Sequence, residues 1–317
     1  MVILEKKFEK YCMTLRVFTA DERDITCVVV DNFSYSDLNR IIIPSSATVR
    51  SRYFGKTDQG NYSVTVELGD TPRQTFDVSA EVVIDLNTQN IYKYNYKLLE
   101  SQLRDIHKTL TLKCGRMDEE FNEQVMAFRF LRPEHKVLEI GGNIGRNSLI
   151  IAHILAQKNL DGNLVVLECD PRSAKILAEN RDRNNFVFHV ESSALSGVKL
   201  IQKGWDTIPS DILLHGYSWV NTVSYDDLKK KYPIDFDALV LDCEGAFYYI
   251  LHDFPQILDG IKLVILENDF STSTQKEYVD SVLEKNDFVN VYAAPLGHNI
   301  EKFAHCKSFF YQVWKKK

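Results

Sequence analysis

The sequence predicts an α/β protein in which a doubly wound, mainly parallel sheet follows a small antiparallel β domain. After residue 115, apolar runs alternate with helical patterns, which is typical of a parallel sheet covered by helices on both faces. Before residue 95 the apolar runs are short and β-branched, and turn-rich stretches separate them, which indicates an antiparallel sandwich or barrel. We therefore divide the chain into a β domain (1–94), a helical linker (95–115) and an α/β domain (116–317).

In the first domain, β-branched runs predict strands at 14–18, 26–30, 62–68, 74–78 and 80–86. The following segment, 95–107, has an apolar stripe at helical spacing, so we expect a helix that packs between the domains. Glycan binding, orientation of an acceptor and homodimer formation are all roles open to the β domain.

The α/β domain begins with a helical pattern at 117–131. Alternation then predicts strands at 136–141, 164–168, 186–191, 237–242 and 261–267, helices at 145–157, 171–183, 246–254 and 273–286, and two closing strands at 288–293 and 306–314. Pro171 suits the first position of its helix, because that position needs no backbone N–H. A sheet of this kind binds its ligand at the carboxyl ends of the strands, beside the switch in strand order.

The segment around the first of these strands suggests what the ligand is. The strand carries Glu139 and ends in a glycine turn (Gly141, Gly142, Gly145), and the next strand ends in Glu168. This pattern predicts a βαβ unit with a nucleotide-type ligand across its carboxyl ends. Glycine is expected where backbone must approach a ligand closely, since a Cβ would hold it away.

Two cofactors fit a βαβ unit of this kind, and the residues favour one of them. A dinucleotide fingerprint needs G-x-G-x-x-G, but in the only frame that fits Ile140 replaces the first glycine. Glu139 would also repel a pyrophosphate. S-adenosylmethionine instead offers a cationic amine for Glu139 and two ribose hydroxyls for Glu168. We therefore favour S-adenosylmethionine over NAD; a glycine turn without any ligand is the third interpretation.

Four blocks of the C-terminal two-thirds resemble class I methyltransferases of the FkbM type, which mostly O-methylate sugars and related hydroxyl compounds. These blocks are VLEIGGNIGRNSL (137–149), LECDP (167–171) leading to LAEN (177–180), VNTVSYDDL (220–228), and LVLDCEG (239–245) followed by VILE (264–267). The last contains the D-x-E-G signature of that family. Gly142 replaces the usual alanine, and segment 196–219 fits the family poorly, which leaves the acceptor side open.

The resemblance implies a Rossmann-like methyltransferase sheet that binds S-adenosylmethionine. The cofactor-binding residues implied by the turn and by the resemblance are Glu139, Gly141, Gly142, Asn143, Gly145, Glu168, Asp170, Ser193, Ala194 and Asp242. The resemblance also makes Asp242 a candidate base and places Glu244 on the acceptor side, although Glu244 also suits a plain helix N-terminus. His298, on a loop between the last two strands, is a further base candidate, and a solvated loop histidine is its alternative interpretation.

Composition limits the remaining options. With 38 basic and 44 acidic residues the net charge is −6, which argues against nucleic-acid binding. No apolar run approaches the ~20 residues of a membrane span. Six cysteines without metal spacing predict reduced thiols, a cytoplasmic setting and no metal site. A sugar or glycan hydroxyl is the expected acceptor; a protein or small-metabolite acceptor, or a non-catalytic cofactor-binding module, are the alternatives.

Overall fold

A computed structural model describes nine strands between residues 13 and 94, together with residues 96–296 and 303–317. The chain divides into two compact units, Met1–Ser101 and Gln102–Lys317. Among the described helices, none combines the length and the apolar character that crossing a bilayer requires.

The strands of the first unit pair only in antiparallel fashion. They are β1 (Met13–Thr19), β2 (Val28–Asp31), β3 (Ser34–Asp37), β4 (Arg40–Ile43), β5 (Thr48–Ser51), β6 (Tyr62–Leu68), β7 (Gln74–Asp77), β8 (Glu81–Asp85) and β9 (Asn90–Tyr94). Their hydrogen bonds define the sheets β1-β6-β7, β2-β5 and β3-β4-β8-β9. A closed sandwich or barrel stays a prediction, as does the role of this unit.

Helix α1 (Tyr96–Thr109) crosses the boundary between the units, and the second unit follows. Its helices are α2 (Phe121–Phe130), α3 (Arg146–Ala156), α4 (Pro171–Arg183), α5 (Tyr225–Lys231), α6 (Ala246–Asp253) and α7 (Ser273–Lys285). Its strands are β10 (Val137–Ile140), β11 (Leu164–Leu167), β12 (His189–Glu191), β13 (Ala194–Leu195), β14 (Leu200–Lys203), β15 (Asp206–Pro209), β16 (Ser218–Val220), β17 (Thr222–Val223), β18 (Ala238–Leu241), β19 (Leu263–Glu267), β20 (Phe288–Ala294) and β21 (Tyr311–Lys316). Short 3₁₀ helices occupy Met117–Glu120, Asp161–Asn163, Pro255–Leu258 and Lys307–Phe309.

Seven of these strands form the central sheet, in the order β12-β11-β10-β18-β19-β21-β20. The first five run parallel, and β21 is antiparallel to both of its neighbours. The chain fills the sheet outward from β10 in one direction and then from β18 in the other. The strand order therefore switches between β10 and β18. This topology confirms the predicted Rossmann-like, doubly wound α/β fold.

Burial explains why the central strands form. Every residue of β10, β11 and β18 is buried, so β11 and β18 appear in the sequence as continuous apolar runs and β10 as an apolar run interrupted by Glu139. Helices α6 and α7 cover the sheet with fully buried side chains such as Phe247, Val279 and Leu283. Helix α4 begins at Pro171, as predicted, and the Asp170 carboxylate caps it.

The last strand and the segment 196–219 differ most from the sequence prediction, which also lacks the short elements β3, β4, β5, β9, β13, β17 and α5. The last strand begins at Tyr311 and not at 306, because Lys307–Phe309 forms a 3₁₀ turn before it. The poorly matched segment 196–219 contains β14, β15 and β16, which form an antiparallel sheet of their own. Only Ile201 among its large apolar side chains is fully buried, so its apolar pattern is too weak to predict strands.

Candidate functional site at the carboxyl edge of the sheet

The glycine turn after β10 lies against the end of β18. Gly141 and Gly142 donate their backbone N–H groups to the Leu167 carbonyl at 2.9 and 3.0 Å. Gly141 has a φ of +93°, and a Cβ added there would lie 1.6 Å from the carbonyl oxygen of Asp242. No side chain fits such a gap. The protein itself therefore requires glycine at 141, since the turn after β10 and the end of β18 approach each other so closely.

The other two glycines of the turn also have reasons within the fold. A Cβ on Gly142 would lie 2.2 Å from Val166 Cγ1 and 2.6 Å from Leu177 Cδ1. These side chains fill the space that an alanine would need, which accounts for the departure from the family pattern at 142. Gly145 has a φ of +92° and begins α3. The predicted approach of backbone to a ligand stays a prediction beside these steric reasons.

Glu168 holds the turn in place. Its two carboxylate oxygens accept backbone N–H groups, Oε2 from Asn143 and Oε1 from Asp170, each at 2.7 Å. Glu168 is only 6 % exposed, and burial raises the pKa of its carboxyl group. The backbone of Cys169 also contributes a hydrogen bond to this carboxylate. Two carboxylate oxygens offer about four acceptor positions, so the site is compatible with a bond from a ribose hydroxyl.

Glu139 is the deepest acid of the site, with 2 % of its surface exposed. The side chains of Ser148 and Asn147, in the first turn of α3, face its carboxyl group and lower its pKa in part. No hydrogen bond of good geometry reaches Glu139 Oε2, Asn147 Oδ1 or Ser148 Oγ, all of which are buried. Burial, together with the charges of Glu120 and Glu168, raises the pKa of Glu139 to about 8. Unpartnered buried polar atoms are rare in folded proteins, and several together indicate a place for a polar ligand.

The raised pKa of Glu139 predicts a loss of stability with rising pH. The folded protein holds a proton at Glu139 between the ordinary pKa of 4.5 and about 8, whereas the unfolded chain releases it above 4.5. The stabilisation is present below pH 4.5 and lost as the pH rises to 8, at up to ~1.4 kcal/mol per unit. Thermal melting of Glu139→Gln across this range should show a smaller decrease than the wild type. The exposed Glu277→Gln should follow the wild type, and equal decreases in all three would contradict the assignment.

Three further predicted cofactor residues have structural roles at this edge. Asp170 Oδ1 accepts the backbone N–H groups of Arg172 and Ser173 at 2.7 and 3.3 Å, which caps α4. The hydroxyl of Ser193, a buried residue, donates to Glu191, and Ala194 belongs to β13. Their contact with a cofactor stays a prediction.

The predicted catalytic residues follow β18 in a turn with unusual backbone. Asp242 is half-buried, whereas Glu244 is exposed and has a φ of +52°, which side chains rarely adopt. Gly245 follows with a φ of +80° and begins α6. Burial, and then the charge of Asp269, raise the pKa of Asp242 well above its ordinary value. His298 lies outside the described residues.

Asp269 supports this turn, a role that the sequence analysis did not assign. It is 4 % exposed, and its carboxylate accepts the backbone N–H groups of Glu244 and Gly245. Burial and the charge of Glu244 raise the pKa of Asp269 to about 7. Asp269 follows β19 by two residues, so its place at the carboxyl edge was visible, but its bonds to the neighbouring turn were not.

The 3₁₀ helix Met117–Glu120, which precedes β10 in the chain, packs beside the glycine turn. Glu120 accepts hydrogen bonds from Asn143 Nδ2, Arg146 Nη1 and the Asn147 backbone N–H. Arg146 also forms an ion pair with Glu119. These contacts hold the 3₁₀ helix Met117–Glu120 against the start of α3. The acidic run was visible in the sequence, but nothing local showed that it packs at the glycine turn.

Carboxylates dominate the electrostatics of this edge. The charges of Glu120 and Glu168 contribute to the raised pKa of Glu139. Those of Asp269, Glu123 and Glu120 contribute to the raised pKa of Asp242. Arg146 is already paired with Glu119 and Glu120. A site lined by one sign of charge attracts ligands of the opposite sign. The arrangement favours a cationic ligand and disfavours a pyrophosphate.

Comparison with known proteins yields only distant structural likenesses. No family model matches the chain, and no curated protein matches its sequence. Solved structures similar to it include a ribosomal protein L11 methylase from Lactobacillus delbrueckii subsp. bulgaricus, with 13 % identity, coverage of 65 % of this chain and 82 % of that one, and a TM-score of 0.38. An O-methyltransferase from Bacillus cereus in complex with SAH has 12 % identity, coverage of 68 % and 89 %, and a TM-score of 0.35. An rRNA methylase from Streptococcus thermophilus has 10 % identity, coverage of 62 % and 94 %, and a TM-score of 0.37. Because similarities this low do not distinguish between activities, we infer the function from the residues of the site.

Proposed function

We propose that this protein is an S-adenosylmethionine-dependent O-methyltransferase that acts on a hydroxyl group of a sugar or glycan. The observation that carries the cofactor assignment is the buried Glu139 with its unpartnered Oε2, beside the turn that Glu168 holds. Its raised pKa keeps Glu139 protonated near neutral pH. A cationic amine would favour release of that proton and pair with the carboxylate, whereas a phosphate of NAD would oppose its release. The cofactor supplies a methyl group on a sulfonium, which leaves as a neutral thioether.

The chain's own residues would then have distinct tasks. Glu139 would bind the amino group of the cofactor, and Glu168 would orient its ribose through an acceptor position that the backbone leaves free. On the acceptor side, Asp242 and Glu244 would remove the proton of the hydroxyl. Positioning of the two reactants alone lowers a barrier by up to ~7–11 kcal/mol, and a base adds ~10²–10⁴-fold.

The inserted sheet β14–β16 supports a sugar acceptor. It follows the carboxyl end of β12 and exposes large aromatic side chains, among them Trp205 at 63 % and Trp219 at 47 %. Tyr217 is held by a hydrogen bond of 2.7 Å to Asp206. Aromatic faces pack well on the C–H surfaces of sugars. Methyl incorporation into a panel of glycans and nucleotide sugars, compared with proteins and small amines, would identify the acceptor class.

Calorimetric titrations of the wild type and of Glu168→Ala test whether the cofactor is S-adenosylmethionine or NAD. We expect the wild type to bind S-adenosylhomocysteine in calorimetric titration and to show no binding of NAD. Glu168→Ala should weaken S-adenosylhomocysteine binding well over tenfold, because each hydrogen bond to a charged group contributes ~1.5–3 kcal/mol.

Glu191→Ala is the matched control for that experiment. Glu191 ends the neighbouring strand β12, but Lys231 and Tyr232 already engage its carboxylate at 2.7 and 3.0 Å. Its removal should change the affinity less than about twofold, a shift under ~0.5 kcal/mol. If Glu168→Ala, with its melting temperature measured, binds as tightly as Glu191→Ala, the cofactor assignment is wrong.

A further inference from the structure

Three carboxylates from separate elements meet beside the candidate site. Glu123 comes from α2, Asp242 follows β18, and Glu267 ends β19. One oxygen from each lies within 4.8 Å of the corresponding oxygens of the other two. All three residues are half-buried, so water screens their charges only in part.

Among the described residues, the charges that act most strongly on these carboxylates are negative. After burial, the charges that raise the pKa of Asp242 most are those of Asp269, Glu123 and Glu120. The charges that raise the pKa of Glu267 also come from acids, namely Asp242, Glu123 and Asp269. The ion pairs found within residues 99–296 and 303–317 do not include any member of the triad. Like charges this close in a partly buried place are costly unless protons or a bound cation neutralise them.

A second observation favours a bound ligand. The charge of Asp269, which follows β19 by two residues, acts on both Asp242 and Glu267. Asp269 is 4 % exposed, and its carboxylate accepts backbone N–H groups of the turn that follows Asp242, yet its Oδ2 has no hydrogen-bond partner among the described residues. A buried acceptor oxygen that the described residues do not satisfy therefore lies at the same turn as Asp242.

We propose that Glu123, Asp242 and Glu267 bind one divalent cation that prefers oxygen ligands, such as Mg²⁺, Mn²⁺ or Ca²⁺. Carboxylate oxygens are the ligands of these hard ions, whereas zinc sites use histidine and cysteine, which the triad lacks. Three carboxylate ligands leave coordination positions for water or for oxygens of a bound molecule. This proposal departs from the expectation of no metal site, because the sequence shows Asp242 and Glu267 at strand ends but not that Glu123 joins them.

Binding of Mn²⁺ alone to the full-length protein tests the proposal. Titration followed by the electron paramagnetic resonance signal of free Mn²⁺ should show one ion bound per chain, and Mg²⁺ should compete for it. Glu123→Gln and Glu267→Gln should each weaken binding about tenfold or more, because each removes a charged ligand. Glu277→Gln, an exposed acid of α7, should bind as the wild type does.

Thermal melting provides a measurement that does not depend on activity or cofactor. Addition of Mn²⁺ should raise the melting temperature of the wild type. Without the ion, Glu267→Gln should melt at or above the wild-type temperature, because repulsion is relieved, and it should lose the ion-dependent rise. Failure of the folded wild type to bind Mn²⁺, or unchanged binding in both triad variants, would overturn the proposal. If the folded wild type binds no Mn²⁺, protons shared among the three carboxyl groups, and not a cation, neutralise the triad.

Discussion

Gly141→Ala is expected to prevent stable folding of the second unit or to cost at least ~4 kcal/mol of its unfolding free energy, a range reached by few single substitutions. Two effects add at this position. The φ of +93° disfavours any side chain, and the new Cβ would lie 1.6 Å from the Asp242 carbonyl oxygen. The clash is with backbone at the switch in strand order, so a side-chain rotation cannot relieve it.

Gly204→Ala separates the two effects. Gly204 also has a positive φ, +61°, but a Cβ there would meet nothing within 4 Å. It should therefore cost only the conformational penalty, about 1–2 kcal/mol. Urea unfolding of both variants measures the difference. Similar costs for the two would mean that the ends of β10 and β18 separate easily, contrary to the described packing.

The parts of the fold that the sequence predicted well have local causes. Helix α4 was predicted at 171–183 and spans Pro171–Arg183, because Asp170 and Pro171 together form an N-terminal capping signal. The ends of β10, β11 and β18 were predicted to within two residues, since β11 and β18 are apolar throughout, β10 is apolar apart from Glu139, and an acid or a turn follows each strand. Local chemistry was sufficient for these elements.

The parts that it missed depend on contacts distant in sequence. Glu123 lies before the first strand of the sheet, and no local pattern places its side chain beside Asp242 and Glu267. The glycines of the turn were explained by approach to a ligand, whereas the structure shows protein atoms in the way of a Cβ at 141 and 142. Periodicity and motif spacing do not encode which backbone atoms meet across two strands.

The acceptor side follows the same rule. The D-x-E-G signature placed Asp242 and Glu244 after β18 correctly, because a motif at a strand end is a local feature. The motif does not predict the left-handed backbone of Glu244 and Gly245, or the hydrogen bonds that their N–H groups donate to Asp269. Backbone strain of this kind accumulates at functional sites, where the surrounding structure holds it in place.

That strain leads to an expectation for Glu244. If its carboxylate takes the acceptor proton, Glu244→Gln should lower turnover by ~10²-fold or more, while the affinity for S-adenosylhomocysteine changes little. Glu244→Gly should lose turnover equally, yet unfold at a higher urea concentration. Relief of a φ of +52° is expected to contribute about 1 kcal/mol. Asp242→Asn should also lower turnover, since Asp242 is the second candidate base.

Asp287→Gly provides the control for Glu244→Gly, because it separates relief of backbone strain from loss of a catalytic group. Asp287 is exposed, has a φ of +65° and follows α7 just before β20, away from the carboxyl edge of the sheet. The Asp287→Gly variant should gain a similar unfolding free energy and retain full turnover. A stabilised Glu244→Gly with wild-type turnover would show that the left-handed turn has no catalytic task. The proton would then pass to Asp242 or His298. Because Asp242 also belongs to the carboxylate triad, a loss of turnover in Asp242→Asn that clearly exceeds the loss in Glu267→Gln, with none in His298→Asn, would assign it to Asp242.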